Sequence, residues 1–105
     1  MSGVNFPYRY QYEHVAASQT LQALGGTGAA GDYIHRLVCT VSTAATALVQ
    51  IKDGATGLLH TVLPNSPGGG VGNYNIELNI VSRVGAWQVT TGAGVEVVAV
   101  GVFSA

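Results

Sequence analysis

The sequence predicts an all-β chain that folds as a two-sheet antiparallel β-sandwich of the jelly-roll or Greek-key type. Apolar and polar residues alternate with a period of two in several segments of the 105-residue chain. No window combines a helical period with helix caps, so we expect no helix longer than about two turns. Seven or eight candidate strands at spacings of roughly ten residues are typical of a sandwich.

The N-terminal half of the chain holds four candidate strands and one glycine-rich loop. The strands are expected at residues 8–15, 20–24, 33–42 and 46–52, and the loop at 25–32. In the third strand, unbroken alternation places His35 on one face with Tyr33 and Leu37. In the fourth, every second residue from Ala47 to Ile51 points inward.

Four further strands are expected in the C-terminal half, at residues 58–63, 73–82, 86–90 and 95–104. Asp53-Gly54 is a hairpin signal that leads into the first of them. The second has the most regular alternation in the chain, with Tyr74, Ile76 and Leu78 on its apolar face. Trp87 and Val89 are the core candidates of the third.

The last strand is apolar on both of its faces, which a strand with one solvated face is not. The first face carries Val95, Val97, Ala99 and Gly101, and the second carries Glu96, Val98, Val100 and Val102. Both faces must be covered, either by further layers of the same domain or by another subunit. We expect a subunit contact at or beside this strand, with four candidate contact residues: Val98, Val100, Val102 and Phe103.

Composition narrows the class of partner. Charged residues make up 9% of the chain and the formal net charge is −1, so the four cations form no basic patch that could bind nucleic acid. No segment approaches the roughly 18 apolar residues of a membrane span. The first residues lack the apolar core of a signal peptide, which predicts synthesis and folding in the cytoplasm. Cys39 is the single cysteine and is expected to be buried and inert.

Motifs for catalysis, metal binding and cofactor binding are absent from the sequence. His14, His35 and His60 fall on three different predicted strands, without the close spacing of metal ligands. No GxSxG motif is present, and the glycines at 68–72 are not followed by the GK[ST] of a phosphate loop. We expect a protein that is not an enzyme and that holds neither a metal nor a cofactor.

An aromatic stripe marks the N-terminus of what we expect to be one domain, residues 1–105. Three tyrosines, Tyr8, Tyr10 and Tyr12, follow Phe6-Pro7. They are either the core face of the first strand or an arm that packs on a neighbouring molecule, a position that suits the large area and polar tip of tyrosine. In the second interpretation residues 1–12 are the arm, anchored by Tyr8, Arg9 and Tyr10.

Several segments together resemble small virion proteins of tailed bacteriophages, most of all head-decoration, or capsid cement, proteins. These segments are the Tyr-rich start, GDYIHRLVCTVS, IKDG, LPNSPGGGVG, NYNIELNIVS and GAWQVTTGAGVEVVAVGVFS, and the similarity covers residues 30–104. Several other β-sandwich proteins of virions, those of the neck, tail tube and fibre tip, share the same general sequence features.

The resemblance implies a structural protein on the capsid surface of the virion. Its partners would be the major capsid protein and further copies of itself, in a trimer rather than a dimer. It would bind the mature head and stabilise contacts between major capsid subunits. The alternative is a receptor- or carbohydrate-binding β-sandwich module of a phage tail or fibre.

Overall fold

A computed structural model describes residues 10–104, which form eight strands in two four-stranded antiparallel sheets. The strands are β1 (Gln11–Val15), β2 (Gln22–Ala23), β3 (Tyr33–Val41), β4 (Val49–Asp53), β5 (Leu59–Leu63), β6 (Gly72–Val81), β7 (Trp87–Thr91) and β8 (Val95–Val102). The helical content of this part is one 3₁₀ turn, Ala44–Thr46, so no helix in it could cross a membrane. The all-β sandwich predicted from the sequence is confirmed.

The strand order identifies the sandwich as a jelly roll. One sheet has the order β1-β8-β3-β6 and the other β2-β7-β4-β5. Successive strands pass from one sheet to the other, except for the hairpin between β4 and β5, and this interleaving is the double Greek key of an eight-stranded jelly roll. The sequence left jelly-roll and Greek-key sandwiches open, and the pairing resolves that choice.

The core lies between the two sheets and follows the predicted alternation. Ala47 and Val49 are 0% exposed and Ile51 is 3% exposed. Trp87 is buried as expected, and its indole N–H donates to the carbonyl oxygen of Asp32 at 3.1 Å. That hydrogen bond removes the cost of burying the one polar atom of the tryptophan ring.

Two irregularities in the first sheet reverse the alternation near one end. The register of β3 shifts between Ile34 and Arg36 against both of its neighbours, and Asn79 in β6 has a φ of 54°. The extra residue on β3 relative to β8 is His35, a β-bulge that turns one more side chain outward. Leu37 is consequently 0% exposed, while His35 and Tyr33 lie on the outer face. The prediction that His35 and Leu37 share a face is therefore wrong.

Strand β8 occupies the middle of the first sheet, hydrogen-bonded to β1 and β3. Its inner face is fully covered, because Val95, Val97 and Ala99 are at most 1% exposed against the second sheet. On the outer face Val98 and Val100 are only half-buried. The second sheet thus covers one apolar face of β8, and the other lies on the surface of the described chain.

Candidate contact surface

Apolar side chains are grouped on the outer face of the β1-β8-β3-β6 sheet. We call this group the outer patch; its members are Tyr10, Tyr12, Val38, Val98, Val100 and Val102. Strand pairing brings them together, with Tyr12 opposite Val100 and Val38 opposite Val98. The tyrosines are 45% and 76% exposed, and Val102 is 39% exposed. Large apolar groups that are contiguous on a surface are typical of an interaction site.

An aromatic cluster closes one end of the outer patch. The ring of Tyr10 stacks on His35 with centroids 4.6 Å apart, and Tyr33 lies 6.0 Å from Tyr10. The Tyr33 hydroxyl donates to Oδ1 of Asn79 at 2.8 Å, and Nδ1 of His35 lies 2.8 Å from the same oxygen, to which its N–H tautomer donates. Burial and the neighbouring Tyr10 raise the pKa of Tyr33, which keeps this phenol a donor. Hydrogen bonds to Asn79 thus join the β3 members of the cluster to β6.

Charged groups lie beside and within the outer patch. At its other end Nε2 of His14 and Oε1 of Glu96 are 2.9 Å apart. In the middle of the patch lies Arg36, whose cross-strand neighbours in the sheet are Val100 on β8 and Glu77 on β6. The Nε atom of Arg36 is buried and has no hydrogen-bond partner among the described residues. A buried donor without an acceptor costs roughly 1–3 kcal/mol.

The structure separates the predicted contact residues into three groups. Tyr10, Tyr12, Val98, Val100 and Val102 all belong to the outer patch. Tyr8 and Arg9 lie outside the described residues. Phe103 differs from the others because it is 5% exposed and packs in the core of its own subunit. Burial of Tyr10 and Tyr12 in their own core, one of the two interpretations of the stripe, does not occur.

Sequence analysis missed three residues of this surface: Val38 in the outer patch, Arg36 in its middle and Asn79 in the aromatic cluster. Val38 follows from simple alternation once the bulge at His35 is known. Arg36 and Asn79 depend on the bulges themselves, for which an asparagine that tolerates positive φ is the one local signal.

A second apolar surface lies where the sandwich is open, between the edge strands β5 and β6. We call it the open side; its exposed members are Leu58, Leu59, Ile80, Val81 and Val84. Two adjoining cavities of about 440 Å³ each share Asp53, His60 and Arg83 there. The Asp53 carboxylate has a structural role, because it accepts hydrogen bonds from the backbone N–H groups of Arg83, Val84 and Gly85.

Metal-ligand clusters are not found in residues 10–104. No group of three or more His, Cys, Asp or Glu side chains there is placed to hold a metal ion. His14 and His35 lie at opposite ends of the outer patch, and His60 lies on the open side. Burial raises the pKa of the Cys39 thiol to about 11, which removes it as a nucleophile near neutral pH.

Comparisons with known proteins give weak structural likenesses and no sequence family. The sequence matches no protein-family profile and no curated protein. The Drosophila NLP core, a pentamer studied for histone binding, is 9% identical with a TM-score of 0.48, over 89% of this chain and 97% of that one. The particle protein of Macrobrachium rosenbergii extra small virus is 11% identical with a TM-score of 0.33, over 94% and 79%.

A carbohydrate-binding module from Clostridium stercorarium, solved with cellobiose, is a third likeness. It is 16% identical with a TM-score of 0.37, over 93% of this chain and 88% of that one. These proteins have different functions, and TM-scores below 0.5 decide nothing about the function of this chain.

Proposed function

We propose that this protein is a capsid decoration protein of a tailed bacteriophage, which binds the mature head through the outer patch and stabilises contacts between major capsid subunits. The observation that carries the proposal is the outer patch itself. Within the described chain it is a broad apolar surface on a rigid sheet rather than a pocket, and that shape suits a protein partner.

The composition of the outer patch supports a macromolecular contact. Tyrosine and arginine are enriched at the centres of protein interfaces, where they bury large area and supply directional donors. Tyr10 and Tyr12 offer exposed rings, and Arg36 is the cross-strand neighbour of Val100 in the middle of the patch. A capsid protein that covers the patch would bury both rings.

The proposed mechanism is mass action on a repeating shell. A protein that binds only the expanded lattice stabilises it by RT ln(1 + [L]/Kd), and many copies act together. Each contact can therefore be weak. Self-association as a trimer, and placement on the outer surface of the virion, are parts of the proposal that come from the sequence resemblance.

A binding experiment with expanded capsids tests the proposal. Capsids that lack decoration are mixed with the purified chain and pelleted. We expect saturable binding to expanded capsids, little binding to unexpanded precursors, and a higher capsid melting temperature at saturation. Binding that does not saturate, or that leaves capsid melting unchanged, would contradict the proposed function.

The second candidate is a carbohydrate- or receptor-binding module, favoured by the aromatic cluster. Sugar sites combine an exposed aromatic face with nearby hydrogen-bonding groups, and Tyr10 lies beside His35, Tyr33 and Asn79 in that way. Calorimetric titration with cell-surface glycans of the host distinguishes the two candidates. Saturable heat that disappears in Y10A but persists in Y12A would favour the carbohydrate function.

A further inference from the structure

Strand β6 is the long free edge of the described sandwich. It has ten residues and pairs with β3 on one side, and no strand among residues 10–104 pairs with its other side. The other edge strands are shorter, with five residues in β1, two in β2 and five in β5. A free edge presents a row of backbone donors and acceptors that another strand can join.

The sequence of β6 lacks most of the features that keep edge strands from pairing. Lysine, arginine and proline are absent from Gly72–Val81, and Glu77 is its single charged residue. The bulge near Asn79 interrupts the strand close to its end. The regular part, Gly72–Leu78, is therefore an edge that is open to pairing.

The apolar environment of β6 favours coverage by another chain. Its inward side chains Tyr74, Ile76 and Leu78 are only partly buried, although they pack against the core. Beyond the bulge Ile80 and Val81 are 39% and 53% exposed. A further strand beside β6 would remove much of this surface from water.

We propose that a second copy of this chain pairs with β6 through its own β6, antiparallel and about a twofold axis at Asn75. Asn75 is the midpoint of the regular part, so this register uses all of Gly72–Leu78. It places Asn75 opposite its own copy, Glu77 opposite Asn73, and Tyr74 opposite Ile76. Aromatic and β-branched side chains are a favourable cross-strand pair.

The position of Glu77 excludes one competing register. Facing residues must point to the same side of a sheet, so the axis can move only by whole residues along the strand. An axis at Glu77 would bring two carboxylates directly opposite each other, which is destabilising. The axis at Asn75 separates them and leaves each beside an asparagine.

Pairing about this axis joins two four-stranded sheets into one of eight strands. Because antiparallel strands related by a twofold axis perpendicular to the sheet keep their faces, both outer patches lie on the same side of the joined sheet. The pair thus presents two equivalent contact surfaces in one direction. The contact uses the β6 edge alone, so it is independent of the proposed capsid binding, and as a twofold contact it is separate from the trimer contact of the proposed function.

Cysteine cross-linking tests the register. Cα atoms of facing residues lie about 4.5–5.5 Å apart, within the range of a disulfide, whereas two copies of residue 77 would be offset by four residues, or about 14 Å. We expect N75C to form covalent dimers under mild oxidation and the matched variant E77C to stay at background. The double variant N73C/E77C should also cross-link. Wild type gives the background, because Cys39 is fully buried.

Sedimentation equilibrium provides an independent test. Wild type should associate with increasing concentration, and N75K, which opposes two cations at the axis, should weaken that association at least tenfold. T61K, on the exposed strand β5 of the other sheet, is the control and should associate like wild type. Equal cross-linking of N75C and E77C, no cross-linking of N75C, or unchanged association of a folded N75K would each overturn the proposal.

Discussion

Truncation of Tyr12 separates the role of the outer patch in binding from any role in folding. The side chain is 76% exposed, and a fully covered tyrosine buries about 200 Å², so about 150 Å² remains for a partner to cover. At about 25 cal/mol per Å² this area corresponds to about 4 kcal/mol. Ordering of the side chains and imperfect polar contacts reduce it to about 2 kcal/mol. Y12A should therefore weaken capsid binding about 30-fold.

The assay is a titration of expanded capsids with labelled protein, followed by quantification of the bound copies. Leu58 supplies the matched control, because it is also 76% exposed but lies on the open side. L58A should bind capsids like wild type. Both variants should unfold in urea within about 0.5 kcal/mol of wild type, since exposed side chains contribute little to folding stability.

Two results would refute this reasoning. If the free energy of unfolding of Y12A is lower than that of wild type by about 2 kcal/mol or more, well above the roughly 0.5 kcal/mol expected at an exposed position, then Tyr12 stabilises the fold of its own subunit. If Y12A folds normally and still binds capsids with wild-type affinity, the outer patch is not the contact surface.

Four further predictions concern stability and reactivity. D32A should lose about 3–5 kcal/mol in urea unfolding, because the Asp32 carboxylate accepts three hydrogen bonds, from Ala29 N–H and from the N–H and hydroxyl of Ser104; a loss below about 1 kcal/mol would contradict this. G101A should melt at a clearly lower temperature, because the added Cβ would overlap the carbonyl oxygen of Tyr33; unchanged melting would show that β8 moves aside freely. Cys39 should react with thiol reagents only on unfolding, and labelling of the native protein at the rate of a free thiol would contradict its burial. Burial opposes ionisation of Asp53, but three backbone N–H groups and the charge of Arg83 outweigh burial and lower the pKa of Asp53 from 3.8. The ionised carboxylate therefore stabilises the fold above pH 3.8, and this stabilisation is lost as the pH falls through the lowered pKa. D53N should remove this part of the acid dependence of stability, measured by urea unfolding at several pH values.

The sequence was sufficient for the layers of the fold and for most of its inward residues. Alternation along residues 46–52 and 86–90 places Val49, Ile51, Trp87 and Val89 in the core because a half-buried strand buries every second residue. Strand order could not be read in this way. It depends on which edges pair across long stretches of sequence, and alternation is the same in a jelly roll and in other Greek-key sandwiches.

The contact surface was predictable only in part, for reasons visible in β1. Glu13 lies on the opposite face of β1 from Tyr12 and is half-buried, where its carboxylate accepts from the side-chain amide of Gln22 and the N–H of Gly25, both at 2.8 Å. Those two donors make an inward glutamate tolerable and leave Tyr12 outside. These donors lie nine and twelve residues from Glu13 in the sequence, so no local sequence pattern could predict them.

Cryo-electron microscopy of capsids decorated with this protein tests the central claim most directly. The reconstruction should show the sandwich on the outer surface of the expanded head, with the β1-β8-β3-β6 sheet facing the major capsid protein and Tyr12 and Val100 within the contact. Density on the tail, or a sandwich that meets the capsid through the β2-β7-β4-β5 sheet while the outer patch faces solvent, would contradict the account.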